Sequence, residues 1–400
     1  MALDIVVIGA GMGGLSAALA LKARGHRVKV FERVEVMRPV GAAISLWPNG
    51  VKVMHALGLG TTIERVSGEM TRMRYLSRDG QPLSDFSLVP LYEAVNQRAC
   101  PISRAALQQT LFDAVGAEHI HLGRHCVDYT TGIDKVVATF EDGERVEADL
   151  LVVADGTHSK LRDTLVGRRV ERQYVGYVNW NVRVTADAAL APLESWDQYV
   201  GEGKRVSLMP MGVGGNDAGE QEFYCFFDVP LPAGTPSAPA RYRDELKEHF
   251  AGWSAPVQAL IERFDPARMA RVEIHDIEPL SRLTDTRVAL LGDAAHAMAP
   301  DLGQGGCQAM EDAWVLAEAL TSALAEQAEP DAALARALAR YDEARVKRVG
   351  EIVRRARSRA AMIHGENAAE TQAWYEELGR EQGVGVRAGI EKTIRGGPLA

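Results

Sequence analysis

The chain has 400 residues, 46% hydrophobic and 25% charged, enough for a sizeable core and more than one compact core normally supports. A net charge of −9 argues against a basic nucleic-acid footprint. Four scattered cysteines, Cys100, Cys126, Cys225 and Cys307, form no C-x-x-C pair and no metal-spaced cluster, so reduced, structural thiols of a cytoplasmic protein are expected.

The first long apolar stretch, "IVVIGAGMGGLSAALAL" (Ile5 to Leu21), is interrupted by four glycines and lacks a preceding basic region. It suits neither a signal peptide nor a membrane span, and no membrane partner is expected. It reads instead as the strand "DIVVIGA", a glycine turn and the helix "GGLSAALALKARG", with the strand "RVKVFER" following. That alternation is the βαβ pattern of a parallel sheet covered on both faces. Gly9, Gly11 and Gly14 form G-x-G-x-x-G between strand and helix, and Glu32 ends the next strand 18 residues after Gly14. In this setting the glycines permit the turn, the approach of a pyrophosphate to the helix start and the close helix packing. The carboxylate takes ribose hydroxyls.

Further along, "CPISRAAL" is a helix start carrying Arg104, while "RPVGAAISLWPNG" carries Arg38 as a weaker anion-binding candidate. The continuous apolar runs "ADLLVVADG" and "TRVALLGDAAH" read as returns to the same buried sheet. Each ends in an aspartate beside a small residue, Asp155 and Asp293, which can take hydroxyls of one long ligand or cap a helix. Between them, "QYVGYVNWNVRV", "WDQYVGEGKRVSLMPM" and "EFYCFFDVPLP" alternate as half-exposed antiparallel strands do. From Ala332 the pattern is helical, and the arginine-rich "ARALARYDEARVKRVGEIVRRARSRAAM" is expected to present a solvated charged face. No repeat or low-complexity tract interrupts the chain.

One stretch needs a ligand to make sense. "GDAAHAMAPDLGQGGCQAMEDAW" (Gly292 to Trp314) sets an aspartate, a histidine, a proline and a glycine cluster directly before a helix, where glycine leaves room for close backbone approach. Together, "GAGMGG" with Glu32, "ADG" followed by "HSKLR", and this stretch resemble the single-component (class A) flavoprotein monooxygenases of the para-hydroxybenzoate hydroxylase type. The resemblance implies an α/β fold with a Rossmann-like FAD-binding domain, interleaved with an antiparallel-sheet substrate domain and followed by C-terminal helices. The expected segments are 1–70, 98–170 and 283–325 for FAD, 71–97 and 171–282 for substrate, and 326–400 for the helices.

By the same resemblance, tightly bound, non-covalent FAD would meet Gly9, Gly11, Gly14, Glu32, Arg104, Val127 and Asp155. Asp293 would bind the ribityl chain, Pro300 would lie near the reactive edge, and Gly303, Gly305 and Gly306 would bring backbone N–H groups to the pyrimidine end. His296 either contributes there or only packs. No second G-x-G-x-x-G appears, so NADH, or NADPH, is expected to bind transiently.

Within that family, runs such as "PVGAAISLWPNGVK", "YVGYVNWN", "VGEGKRVSLMP" and "VEIHDIEPLSRL" resemble the bacterial FAD-dependent urate hydroxylases nearly end to end. This implies hydroxylation of urate at C5 to 5-hydroxyisourate with NADH and O2 through a flavin C4a-hydroperoxide. Arg205 and Tyr224 fall on the two positions expected to contact urate. An arginine fork suits a flat monoanion. "MGVGGNDAGEQE" (Met211 to Glu222) is longer and richer in glycine than expected and bears on substrate access. Hydroxylation of a phenolic acid such as salicylate or 3-hydroxybenzoate, and a flavin-binding redox sensor without hydroxylase activity, remain alternatives, as do monomer and homodimer.

Overall fold

The structure is a computed structural model, and it describes residues 2–37, 43–212, 220–327, 329–365 and 367–400. Arg38 and the first part of "VGAAISL", like residues 213–219 of the glycine-rich loop, lie outside the described residues.

A mainly parallel six-stranded sheet is nucleated by β1 (Asp4–Ile8), α1 (Met12–Ala23) and β2 (Arg27–Phe31). Across it run Thr284–Asp285, Val288–Leu290, Leu150–Val153, β1, β2 and Ile120–His121, in that order. Every residue of Leu150–Val153 and Val288–Leu290 is buried, as the unbroken apolar runs require of strands covered on both faces. Helix α1 lacks an apolar stripe because it is buried nearly all round, between the sheet, Arg104–Val115 and Gly305–Glu326. Gly13 allows the last of these approaches, since a Cβ there would stand 3.1 Å from the Ala309 methyl.

The alternating stretches form a seven-stranded sheet in the order Ala270–Ile277, Arg172–Thr185, Glu222–Pro230, Lys204–Met211, Ser195–Gly201, Arg72–Ser77 and Pro82–Ser87. All its pairings are antiparallel except Ser195–Gly201 with Arg72–Ser77. One face packs on Tyr242–His249 and Ala255–Arg263 through Trp180, Phe227, Phe250 and Phe264. The six-stranded sheet thus draws strands from near residues 4, 27, 120, 150 and 284, and the chain leaves it and returns.

The helices Pro330–His364, Ala368–Glu381 and Val384–Arg395 close the molecule. The first keeps part of the expected solvated charged face, with Arg336, Glu343, Lys347 and Arg354 exposed, but Arg345 is 1% exposed. Its Nε donates to Asp312 Oδ1 (2.6 Å) and its Nη1 to Glu311 Oε2 (2.7 Å), both on Gly305–Glu326. Arg357 likewise reaches Asp276 in the large sheet (2.8 Å). Arg345 and Arg357 turn inward because carboxylates on neighbouring elements are buried opposite them, a pairing that helical periodicity does not reveal. None of the described helices is long and apolar enough to cross a membrane. All four cysteines are free and buried.

Candidate active site

The carboxyl ends of β1, Leu150–Val153 and Val288–Leu290 open onto a cleft of about 400 Å3, where an α/β sheet binds its ligands. Its wall includes Gly11, Arg104, Asp293, Pro300, Gly303, Gly305 and Gly306 together with Arg205, Tyr224 and Phe226. Residues from opposite ends of the sequence therefore share one cavity. A wider hollow of about 670 Å3 lies elsewhere, at Arg183, Asp187, Arg263 and Arg268. There Arg263 pairs with Asp187 (2.5 Å) and Arg183 with Glu222 (3.3 Å), and no glycine lines it among the described residues.

The first turn leaves no space for side chains. A Cβ on Gly9 (φ +106°) would stand 2.3 Å from the Ala154 carbonyl oxygen, and one on Gly14 would stand 1.9 Å from that of Gly9. Gly11 has nothing within 4 Å of its Cβ position and caps α1 with its N–H groups uncovered by any side chain. This is an open helix start framed by tight backbone packing, which suits a pyrophosphate. Glu32 accepts from the Ala10 N–H (2.8 Å) and the Val34 N–H (3.1 Å), so the carboxylate is held at the end of β2 beside that turn. Asp155 follows Leu150–Val153; burial pushes its carboxyl up, and Oδ1 is buried without a partner, as a group awaiting a hydroxyl donor would be. Val127 is 41% exposed at the irregular start of Cys126–Thr131 and is not part of the cleft wall.

The second glycine cluster is built by the same logic. Gly303 has φ +62°, and a Cβ would meet Ser45 Oγ at 2.5 Å. Gly305 opens the 22-residue helix Gly305–Glu326 at the cleft wall. Asp293 and Pro300 are exposed to the cleft. His296 is not: it is 1% exposed, and its Nε2 lies 2.6 Å from Asp312 Oδ2, which also accepts the Gly292 N–H (2.9 Å). It holds the turn from behind. The cleft as a whole fits a long dinucleotide with a flat, polar-edged end.

Arg205, on Lys204–Met211, lines the same cleft with 5% exposure. Its Nε donates to Asp228 Oδ2 (2.8 Å) and its Nη2 to Asp301 Oδ1 (3.0 Å), while its guanidinium lies 5.1 Å from the Phe226 ring. Burial works against its charge, but Asp228 and then Asp301 more than offset this and hold it protonated. The two acids are shared: Asn179 donates to Asp228 (2.6 Å) and the Tyr177 hydroxyl to Asp301 (2.7 Å). His364 packs against Tyr177 with ring centroids 4.2 Å apart and the planes tilted by 34°, and burial pushes its imidazole down. Tyr224 lines the same wall; burial, then the nearby Asp228, pushes its phenol well up, so it stays a hydrogen-bond donor.

Sequence reading missed Asp228, Asp301, Asn179 and His364. Asp301 stood within the glycine-rich stretch already singled out. Asp228 is legible only once register is known, because it pairs directly with Arg205 across neighbouring strands. For a lone histidine at the end of a 35-residue helix, no sequence signal exists.

A dinucleotide turn, a second glycine-lined helix start and a buried cation with a phenol define a dinucleotide-binding α/β protein with an adjoining substrate chamber. The chain belongs to the FAD-binding domain family, whose pattern matches residues 2–356. It is 48% identical over 395 residues to the FAD-dependent urate hydroxylase of Klebsiella pneumoniae, covering 98% of this chain and 99% of that protein. To the FAD-dependent urate hydroxylase of Mycolicibacterium vanbaalenii it is 44% identical, covering 99% and 98%. The crystal structure of Klebsiella pneumoniae HpxO complexed with FAD and uric acid superimposes with a TM-score of 0.93 at 46% identity, covering 100% of this chain and 98% of that one. A salicylate hydroxylase substrate complex shares the fold, with a TM-score of 0.77 at 24% identity over 100% of this chain and 99% of that one.

Proposed function

We propose that the protein is an FAD-dependent urate hydroxylase that converts urate to 5-hydroxyisourate using NADH and O2. The observation that carries the reading is Arg205: a buried, permanently charged guanidinium beside a phenol and the aromatic face of Phe226, at the flavin end of the cleft. The likeness to two urate hydroxylases over nearly the whole chain supports the same substrate.

Bound FAD, reduced by NADH, supplies activated oxygen from O2; the chain supplies position, charge and a protected space. Gly9, Gly11 and Gly14 are proposed to admit the pyrophosphate, Glu32 and Asp155 the sugar hydroxyls, Asp293 the ribityl chain, and Pro300 with Gly303, Gly305 and Gly306 the ring end. Arg104 is proposed to reach the phosphates or ribityl chain from the head of its helix, and Val127 to pack at the adenine side. Domains are proposed as 1–70, 98–170 and 283–325 for FAD, 71–97 and 171–282 for substrate, and 326–400 for the closing helices.

Arg205 faces the chamber while Asp228 and Asp301 anchor it from behind, so its orientation is fixed before substrate arrives. A urate anion laid against it presents one edge to the Tyr224 hydroxyl, and its C5 is held toward the flavin. Aligning reactants in this way recovers on the order of 7 kcal/mol of barrier. Tyr224 remains protonated at neutral pH, so it donates to a urate oxygen or nitrogen and does not act as a base.

The test is Arg205→Gln. FAD content should stay near the wild-type level, because the side-chain partners of Arg205 are Asp228 and Asp301 and not Glu32, Asp155 or Asp293, while NADH oxidation should uncouple from urate consumption or urate affinity should fall. Wild-type coupling and affinity in this variant would refute the role.

A further inference from the structure

A second cavity, of about 340 Å3, lies between the large sheet and the three closing helices. Its inner wall is buried: Trp47, Gln198, Gln304 and Trp374 are 2%, 3%, 2% and 4% exposed. Its outer end is formed by the exposed Glu377 and Gly385. Trp196, Arg205, Phe226, Pro300 and Gln304 line both this cavity and the dinucleotide cleft, so the two share that wall.

A dinucleotide lying from Gly11 to Pro300 fills the first cleft, since cofactors of this kind are largely enclosed by their sites. A substrate held beyond it at Arg205 and Tyr224 then needs another route. We infer that the second cavity is that route, a passage under the C-terminal helices through which a planar anion reaches Arg205 and its product leaves. The wall suits such a guest. Trp47, Trp196 and Trp374 offer flat faces, and Arg355 and Arg359 offer positive charge, with the Arg359 guanidinium 4.4 Å from the Trp374 ring. Glu377 stands at the outer end, which favours transit over lodging of an anion. Gating by side chains shared between two cavities is a common source of slow binding and release.

The inference rests on the urate reading, and the experiment separates the two. Oxidised holoenzyme is mixed with urate in a stopped-flow instrument, without reductant, and the change in flavin absorbance gives association and dissociation rates. Gly389 is helical and lines the passage, and a Cβ there would meet nothing nearer than Arg355 Nη2 at 4.0 Å. Gly389→Phe therefore places a ring in open space and improves helix propensity. Gly385→Phe obstructs the outer end, where a Cβ meets only the flexible Glu381 carboxylate.

In both variants, with FAD content and melting temperature unchanged, the two rates should fall together at least tenfold while Kd stays within twofold. An obstruction changes the height of a barrier and not the depth of the site. Wild-type rates in both folded variants would overturn the passage, as would a change confined to dissociation, which marks a binding contact. A wild-type flavin spectrum that ignores urate would overturn the substrate reading and the passage for urate with it.

Discussion

Arg345→Met tests the claim that the closing helix holds the cofactor turn from behind. Arg345 donates to Asp312, to Glu311 and to Gln308 Oε1 (2.8 Å), and Asp312 in turn accepts from the Gly292 N–H and His296. Removing one partner of a buried ion pair costs about 3 to 5 kcal/mol, because the remaining charge keeps its desolvation penalty. The lower end applies here: Glu311 retains Arg348 (2.7 Å) and Asn49 (2.7 Å), and Asp312 retains His296 (2.6 Å). Unfolding entropy scales with length, so a chain of this size loses roughly 1 °C per kcal/mol, giving a fall of about 3 to 4 °C. Thermal unfolding by tryptophan fluorescence, with FAD present and absent, reads it. FAD affinity should fall too, since Asp312, which accepts the Gly292 N–H, loses the arginine that fixes it, and Asp312→Asn in the Arg345→Met background should recover part of the loss by discharging one carboxylate left without Arg345. A melting temperature within 1 °C of wild type for Arg345→Met would refute the reasoning.

Gly14→Ala and Gly303→Ala should purify with little or no FAD, checked by the 450 nm absorbance of fresh protein, because one Cβ would strike the Gly9 carbonyl oxygen at 1.9 Å and the other a left-handed turn at 2.5 Å from Ser45 Oγ. Acid should loosen the same region. Burial raises the Asp312 carboxyl, but His296 and Arg345 outweigh it and hold it at about 2, below its ordinary 3.8. Stability from this depressed group is complete above about pH 4 and is lost as the pH falls toward 2. Melting temperatures between pH 5 and pH 2.5 should show that loss reduced in Asp312→Asn. The four buried thiols should resist Ellman's reagent in the native protein at pH 8 and all react after denaturation. Burial pushes Cys126 and Cys307 up to about 12, so reaction of more than one thiol in the folded state would contradict the packing.

What the sequence disclosed follows physical lines. Strands of the parallel sheet were legible because burial on both faces demands unbroken runs such as "LLVV". The cofactor turn was legible because glycine at Gly9 and Gly14 answers a steric requirement that no other residue meets. Charge partners were not. Arg205 meets Asp228 by strand register and Asp301 across 96 positions of chain, while Arg345 meets Asp312 across 33. Such pairings arise from tertiary packing, so helical periodicity shows the solvated face of the arginine-rich helix and not the inward pairing of Arg345 with Glu311 and Asp312.

Coupled hydroxylation of urate at Arg205 is tested most simply on the purified holoenzyme, with NADH oxidation, oxygen uptake and loss of urate absorbance followed together. The three should proceed in equal amounts. NADH oxidation stimulated by urate but without urate consumption would contradict it, and would make urate an effector of a hydroxylase acting on another planar anion.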